Sequence, residues 1–181
     1  MGKMQPAPQS QAEQAMKAFR AGHLEEAITG FKAARDGFTA QNEPLKAAEA
    51  ANNLCVALLK ASRPEEALDS VKGTPEIFLA QQDDGRAAQA TGNLASALEA
   101  CGHLREAEEA YRKAVELFER SGDKAGRSQT LKALSRLSLR QGEPLQAISD
   151  MQGAVEAEKP RSFLSRLLRR MLRIPLDLLR R

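Results

Sequence analysis

Apolar and polar positions along this chain recur in blocks. Gly22-His23-Leu24-Glu25-Glu26-Ala27 returns as Ser62-Arg63-Pro64-Glu65-Glu66-Ala67, as Gly102-His103-Leu104-Arg105-Glu106-Ala107, and more loosely as Gly142-Glu143-Pro144-Leu145-Gln146-Ala147. The spacing is 40 residues each time. Ala27, Ala67, Ala107 and Ala147 share a register, as do Phe31, Val71, Tyr111 and Met151, and then Ala34, Thr74, Ala114 and Ala154. Phe38, Phe78 and Phe118 form a further column, which Glu158 breaks. Leu54, Leu94 and Leu134 form another, broken by Gln14. Within a block, small and large positions alternate with helical spacing. Small residues let two helices approach, and large ones fill the groove between them. A repeat of this length marks a solenoid of stacked helix pairs.

Each block predicts two helices. They run from about Gln9 to Ala21, Leu24 to Ala40 and Leu45 to Ala61, then from the Pro64 turn to about Ala80. Ser62 is expected to cap that fourth helix, and Gly73-Thr74-Pro75 to kink or break it, because proline removes a donor and clashes one turn back. Four more follow: about Arg86 to Ala100, Leu104 to Arg120, a seventh to Arg140, and Pro144 to Ala157. The expected fold class is all-α. It is a right-handed α-solenoid of about four helix-turn-helix repeats over residues 8–157, followed by a basic amphipathic C-terminal helix over 159–181.

Composition supports the helical reading. Aromatics are 4% of 181 residues, with no Trp and one Tyr, and the strong helix formers Ala and Leu dominate instead. Charge divides the chain. The net +3 conceals a tail, 159–181, whose Lys159 and seven Arg against Asp177 sum to +7, leaving the rest at −4. Cys55 and Cys101 lack metal-ligand spacing and read as reduced structural thiols. The N-terminus has no apolar run, so no signal peptide is expected. Pro6 stands where myristoylation would want Ser or Thr. No apolar stretch reaches spanning length. His23 and His103 occupy matching turn positions, which the repeat explains. Neither a phosphate-cradling glycine loop nor a Gly-x-Ser-x-Gly sequence is present. The expectation is a non-catalytic protein without metal or cofactor, cytoplasmic or peripheral at a membrane.

Gly102-His103-Leu104-Arg105-Glu106-Ala107, with Tyr111 and Ala114 after it and Asn93-Leu94 and Leu98 before it, resembles the tetratricopeptide repeat. Its usual period is 34 residues. The longer period here resembles the extended repeats of kinesin light chains and of proteins linking cortical complexes to spindle motors. The resemblance covers about residues 8–157. It implies a concave groove, lined by the first helix of each pair, that binds a peptide or protein.

Helical spacing places Asn52, Asn53, Val56, Leu59 and Lys60 near that groove, then Gly92, Asn93, Ser96, Glu99 and Ala100, then Gln129, Lys132, Arg136, Leu139 and Arg140. The first pair offers Ala12, Glu13, Met16, Phe19 and Arg20. Asn53 and Asn93 occupy equivalent positions, where the asparagine of peptide-binding relatives resembles a grip on the ligand backbone. An amide both donates and accepts. A local hydrogen bond near a helix start is the alternative. Ala133 stands where the pattern would want a third Asn. The two-carboxylate clamp of chaperone-binding relatives is not expected, since its Lys and Asn positions fall on Ala12 and Met16. Lys60, Lys132, Arg136 and Arg140 fit an acidic peptide, or are solvated surface charges.

In the tail, Phe163, Leu164, Leu167, Leu168, Met171 and Leu172 share one face, and Arg166, Arg169, Arg170 and Arg173 the other. Pro175 kinks or restarts the helix. Three roles stay open: covering the solenoid's open face, lying on an anionic membrane surface, or contacting a partner. Nucleic acid is the least expected partner, because aromatic interleaving is missing. The expected function is a non-catalytic protein- or peptide-binding adaptor. The alternative is a peripheral membrane protein anchored by the tail. Oligomeric state stays open.

Overall fold

Every twenty residues the backbone turns left-handed. Gly22, Asn42, Ser62, Gln82, Gly102, Gly122 and Gly142 all have positive φ, between 56° and 84°. A residue in this conformation reverses the chain just past a helix and aims the next amides at the last free carbonyls. The His23 N–H, for example, donates to the Ala18 carbonyl at 2.9 Å. The turns therefore recur at half the sequence period, one per helix.

The computed structural model describes residues 7–158. These form nine α-helices and no strand: α1 Pro8–Ala21, α2 Leu24–Ala40, α3 Pro44–Lys60, α4 Pro64–Val71, α5 Thr74–Ala80, α6 Asp84–Ala100, α7 Leu104–Ser121, α8 Lys124–Gln141 and α9 Pro144–Ala157. The fold is an all-α solenoid of four helical hairpins. The second hairpin has a divided return helix, α4 and α5, as the Gly73-Thr74-Pro75 sequence predicts. Gly73 sits at φ 76° and Pro75 is buried in the first turn of α5.

Local chemistry sets the helix starts. Pro8, Pro44, Pro64 and Pro144 each stand in a first turn, where no amide partner is lost. Asp83 and Asp123 cap α6 and α8, accepting the N–H groups of Arg86 and Gly126 at 2.9 Å. The Arg86 N–H bond, and then the Arg86 guanidinium, hold the Asp83 carboxyl below the usual carboxylate range. Ser62 does not cap α4. Arg63 holds the cap position without a side-chain bond, and Ser62 adopts the left-handed turn that the hairpin needs one residue earlier.

Packing follows the columns. Ala27, Ala67 and Ala107 are wholly buried, and Ala147 nearly so. Phe38, Phe78 and Phe118 are buried while Glu158, which breaks their column, is exposed. One apolar cluster runs from Ala15 on α1 through Leu54 and Leu58 on α3 to Ala97 on α6. Another joins Leu98 on α6 and Tyr111 on α7 to Leu134 and Leu137 on α8. Each pair thus buries its faces on its neighbours. The α8–α9 seam is more polar. There Ser135 donates to the Ala147 carbonyl at 2.7 Å, and Ser138 to Asp150 at 3.2 Å. Both serines and Asp150 are buried, so these bonds satisfy groups that would otherwise be costly to desolvate.

Candidate partner-binding groove

The first helices of three successive hairpins, α3, α6 and α8, lie side by side along one face. Between them is a cleft of about 370 Å³. Asn52 and Asn53 line it from α3. Gln89, Gly92, Asn93 and Ser96 line it from α6, and Gly126, Gln129, Thr130, Ala133 and Arg136 from α8. Tyr111 and Phe118 of α7 close its floor. A helix presents residues three and four apart on one face, so the four-residue steps from Gln89 to Asn93 and from Gln129 to Ala133 to Arg136 bring these groups into line.

Of the positions on α3, α6 and α8 read from the sequence as groove-lining, Asn52, Asn53, Gly92, Asn93, Ser96, Gln129 and Arg136 line this cleft, whereas Val56, Leu59, Lys60, Glu99, Ala100, Lys132, Leu139 and Arg140 do not. The asparagines are not equivalent in their bonding. Asn93 Nδ2 donates to Asn52 Oδ1 at 2.8 Å, across the α3–α6 seam. Asn53 makes no side-chain hydrogen bond among the described residues. The Asn52–Asn93 bond leaves the Asn52 amide protons and the Asn93 oxygen for a ligand.

Three of the four cations have intramolecular work. Lys60 Nζ lies over the Phe19 ring, 4.8 Å from its centre. Lys132 pairs with the Glu158 carboxylate, which also accepts from Ser128 at 2.9 Å. Arg140 bonds Glu99 at 2.6 Å. Arg136 is exposed and makes no ion pair or hydrogen bond among the described residues. Among the described residues, the cleft therefore has a neutral, amide-rich wall and one positive charge without an ion-pair partner, Arg136.

Tyr111 ties the floor to the wall. Its hydroxyl donates to Glu99 at 3.0 Å and lies 3.1 Å from the Ser96 hydroxyl. Burial pushes its phenol up to about 12; the nearby Glu99 raises it and the Ser96 bond lowers it. Gln89 and Tyr111 are cleft residues that the groove positions read from the sequence omitted. Gln89 was findable, standing 40 residues before Gln129, which the sequence places in the groove. Tyr111 was not, because its column reads as core.

A second hollow, about 390 Å³, runs along α1 past Ala12, Glu13, Met16, Lys17 and Arg20. It takes in the first-pair groove positions except Phe19, which Lys60 covers. Among the described residues, no three His, Cys, Asp or Glu side chains are placed to hold a metal ion. His23 and His103 sit exposed at equivalent turns, 3.6 Å from Glu26 and 3.5 Å from Glu106. Cys55 is buried, and burial pushes its thiol up to about 12. No helix of the described residues is long and apolar enough to cross a membrane. The tail residues Phe163, Leu164, Arg166, Leu167, Arg169, Arg170 and Arg173 lie outside the described residues.

Residues 86–157 match the family model of the tetratricopeptide repeat. No curated protein sequence matches the chain. Solved structures do. BtubC (BKLC) from P. vanneervenii superposes with a TM-score of 0.75 at 19% identity, covering 90% of this chain and 71% of that one. Nearly identical TPR-like repeats assigned to a kinesin light chain of Podosopora anserina give 0.74 at 17%, covering 93% and 85%. The Rap conjugation gene regulator of plasmid pLS20, solved with its Phr* peptide, gives 0.68 at 16%, covering 90% and 46%. At these identities the likeness is one of fold.

Proposed function

We propose that this chain, which carries tetratricopeptide repeats like those of kinesin light chains, is a non-catalytic adaptor holding an extended peptide segment of a partner protein along α3, α6 and α8. One observation carries the reading: side chains able both to donate and to accept line a single cleft from three successive hairpins. An extended backbone offers alternating donors and acceptors, and amides answer both. The complex of the pLS20 regulator with its peptide supports the class of ligand. The preferred segment carries one acidic group, placed against Arg136. It is not broadly acidic, because Lys60, Lys132 and Arg140 already have partners within the chain.

The test uses a displayed library of linear peptides, selected on the full chain and then measured by fluorescence polarisation. Asn53→Ala with Asn93→Ala removes two backbone contacts worth about 1 kcal/mol each, so affinity should fall about tenfold or more. Asn93→Ala also loses the bond to Asn52 and costs roughly 1 kcal/mol of stability, so binding is read well below the unfolding transition. Arg136→Glu should weaken acidic peptides selectively. Peptides that bind all these variants as they bind the wild type would remove the cleft from the function.

A further inference from the structure

We infer that the partner segment reaches past the cleft to α1, where a large apolar side chain seats on Met16, about seven to nine residues from the acidic group that meets Arg136. The inference rests on the peptide-groove reading and adds to it a second anchor and a spacing. The first argument is register. Met16, Val56, Ser96 and Arg136 stand 40 residues apart on α1, α3, α6 and α8. Ser96 and Arg136 line the cleft, and Met16 lines the hollow of about 390 Å³ on α1. Ala12 of that hollow is likewise the equivalent of Asn52 and Gly92 of the cleft. The two hollows are therefore built from the same helix positions on successive hairpins. Between them Val56 is half-buried, and Lys60 bridges α3 to α1 by lying over Phe19. One face thus runs from α1 to α8.

The second argument is chemical. Along that column the side chains pass from thioether and isopropyl to hydroxyl and then to guanidinium. The α8 end suits an anion, and the α1 end suits a hydrocarbon. Met16 is half-buried and packed against the apolar cluster that includes Ala15 and Leu54, so what it leaves open is an apolar base with a firm backing. A thioether adapts to apolar groups of different shape. Covering Met16 and Val56 with a side chain the size of Leu or Phe removes apolar area from water on both partners. Lys17 and Arg20 stand exposed beside Met16, and neither makes an ion pair or side-chain hydrogen bond among the described residues. Glu13, the hollow's carboxylate, accepts from Gln9 at 3.0 Å, and the rim is net positive. That rim repels a Lys or Arg next to the seated apolar residue. Length follows from helix packing. Neighbouring helices lie about 8–10 Å apart, so the three steps from α1 through α3 and α6 to α8 cover about 24–30 Å, which roughly seven to nine extended residues span.

The test is two parallel selections from one displayed library of linear peptides, on the full chain and on the full chain with Met16→Gln and Val56→Thr, which keep size and remove apolar surface. Peptides won by the wild type should carry Leu, Ile, Met or Phe about seven to nine positions from Asp or Glu, with no Lys or Arg beside the apolar residue. Those won by the variant should keep the acidic residue and lose the apolar one. The best wild-type peptide is then measured by fluorescence polarisation. Changing its apolar residue to Ala should weaken binding to the wild type about tenfold and to the variant less than about twofold, while changing its acidic residue should weaken both alike. Lys17→Glu with Arg20→Glu, at two exposed positions that folding does not depend on, gives an independent reading. A Lys placed beside the apolar residue should weaken binding to the wild type and not to this variant. Peptides that depend on Asn53, Asn93 and Arg136 but lack an apolar residue at that spacing, or whose Ala change costs the same on wild type and variant, would overturn this inference and leave the cleft reading standing. Peptides indifferent to Asn53→Ala with Asn93→Ala and to Arg136→Glu would overturn both.

Discussion

Two glycines line the same cleft, and replacing each by alanine should shift stability in opposite directions. Gly92 lies inside α6, and a methyl group added there meets nothing within 4 Å. The substitution leaves the folded packing untouched and lowers the entropy of the unfolded chain, a gain of about 0.5–1 kcal/mol. For a chain of this size that is roughly 1–4 °C in Tm. Gly126 lies in the first turn of α8. A methyl group there would stand 2.4 Å from Cε1 and 2.6 Å from Cδ1 of Phe118, and 2.8 Å from Asp123 Oδ2. Neither neighbour yields easily. Phe118 is 5% exposed and packed between α7 and its neighbours, while Asp123 is engaged in capping the Gly126 amide. Overpacking of this kind costs about 1–3 kcal/mol, and a strained cap adds up to about 1, against a helix-propensity gain of under 1. The net expectation for Gly126→Ala is a loss of roughly 1–3 kcal/mol. Urea unfolding followed by far-UV circular dichroism measures both variants at fixed temperature. A Gly126→Ala protein as stable as wild type would mean that α7 and α8 do not meet at Phe118. A destabilised Gly92→Ala protein would mean that the α6 surface facing the cleft is not open.

Other expectations follow from the turns and the buried thiol and phenol. Ser62→Gly and Gln82→Gly should each raise stability by about 1 kcal/mol, since both residues hold left-handed φ values of 58° and 57° that a side chain disfavours; thermal melts that do not rise would place those turns elsewhere in conformational space. Stability should fall as pH climbs from about 9 to 12. Cys55 and Tyr111 are each pushed up to about 12 by burial, above their ordinary 9.0 and 10.0, so the folded state keeps protons that the unfolded state has already lost. The stabilisation is complete below the unfolded values and disappears as pH passes through the folded ones. Cys55→Ala, which copies Ala95 of the next hairpin, should flatten the lower part of that decline and Tyr111→Phe the upper part. Urea midpoints across the range that stay parallel to wild type would contradict the assigned burial.

The sequence by itself determined the hairpins and their stacking. An alanine or phenylalanine column repeating every 40 residues has only one use in a helical chain, which is to bury a stripe against a neighbour. Ala27, Ala67, Ala107, Phe38, Phe78 and Phe118 are buried accordingly. The Pro75 break was legible for the same local reason, because a missing amide and a steric clash act within one turn. Ser62 was misread because its cap and turn positions differ by a single residue. Only the tertiary structure decided what the cleft offers. Whether Asn52 or Asn53 meets Asn93, and whether Lys60, Lys132 and Arg140 face a ligand or find Phe19, Glu158 and Glu99, depends on partners some 20 to 40 residues away. Periodicity along one helix carries burial, since burial depends on which way a residue faces. It does not carry pairing, since pairing depends on the offset between helices that only their packing sets.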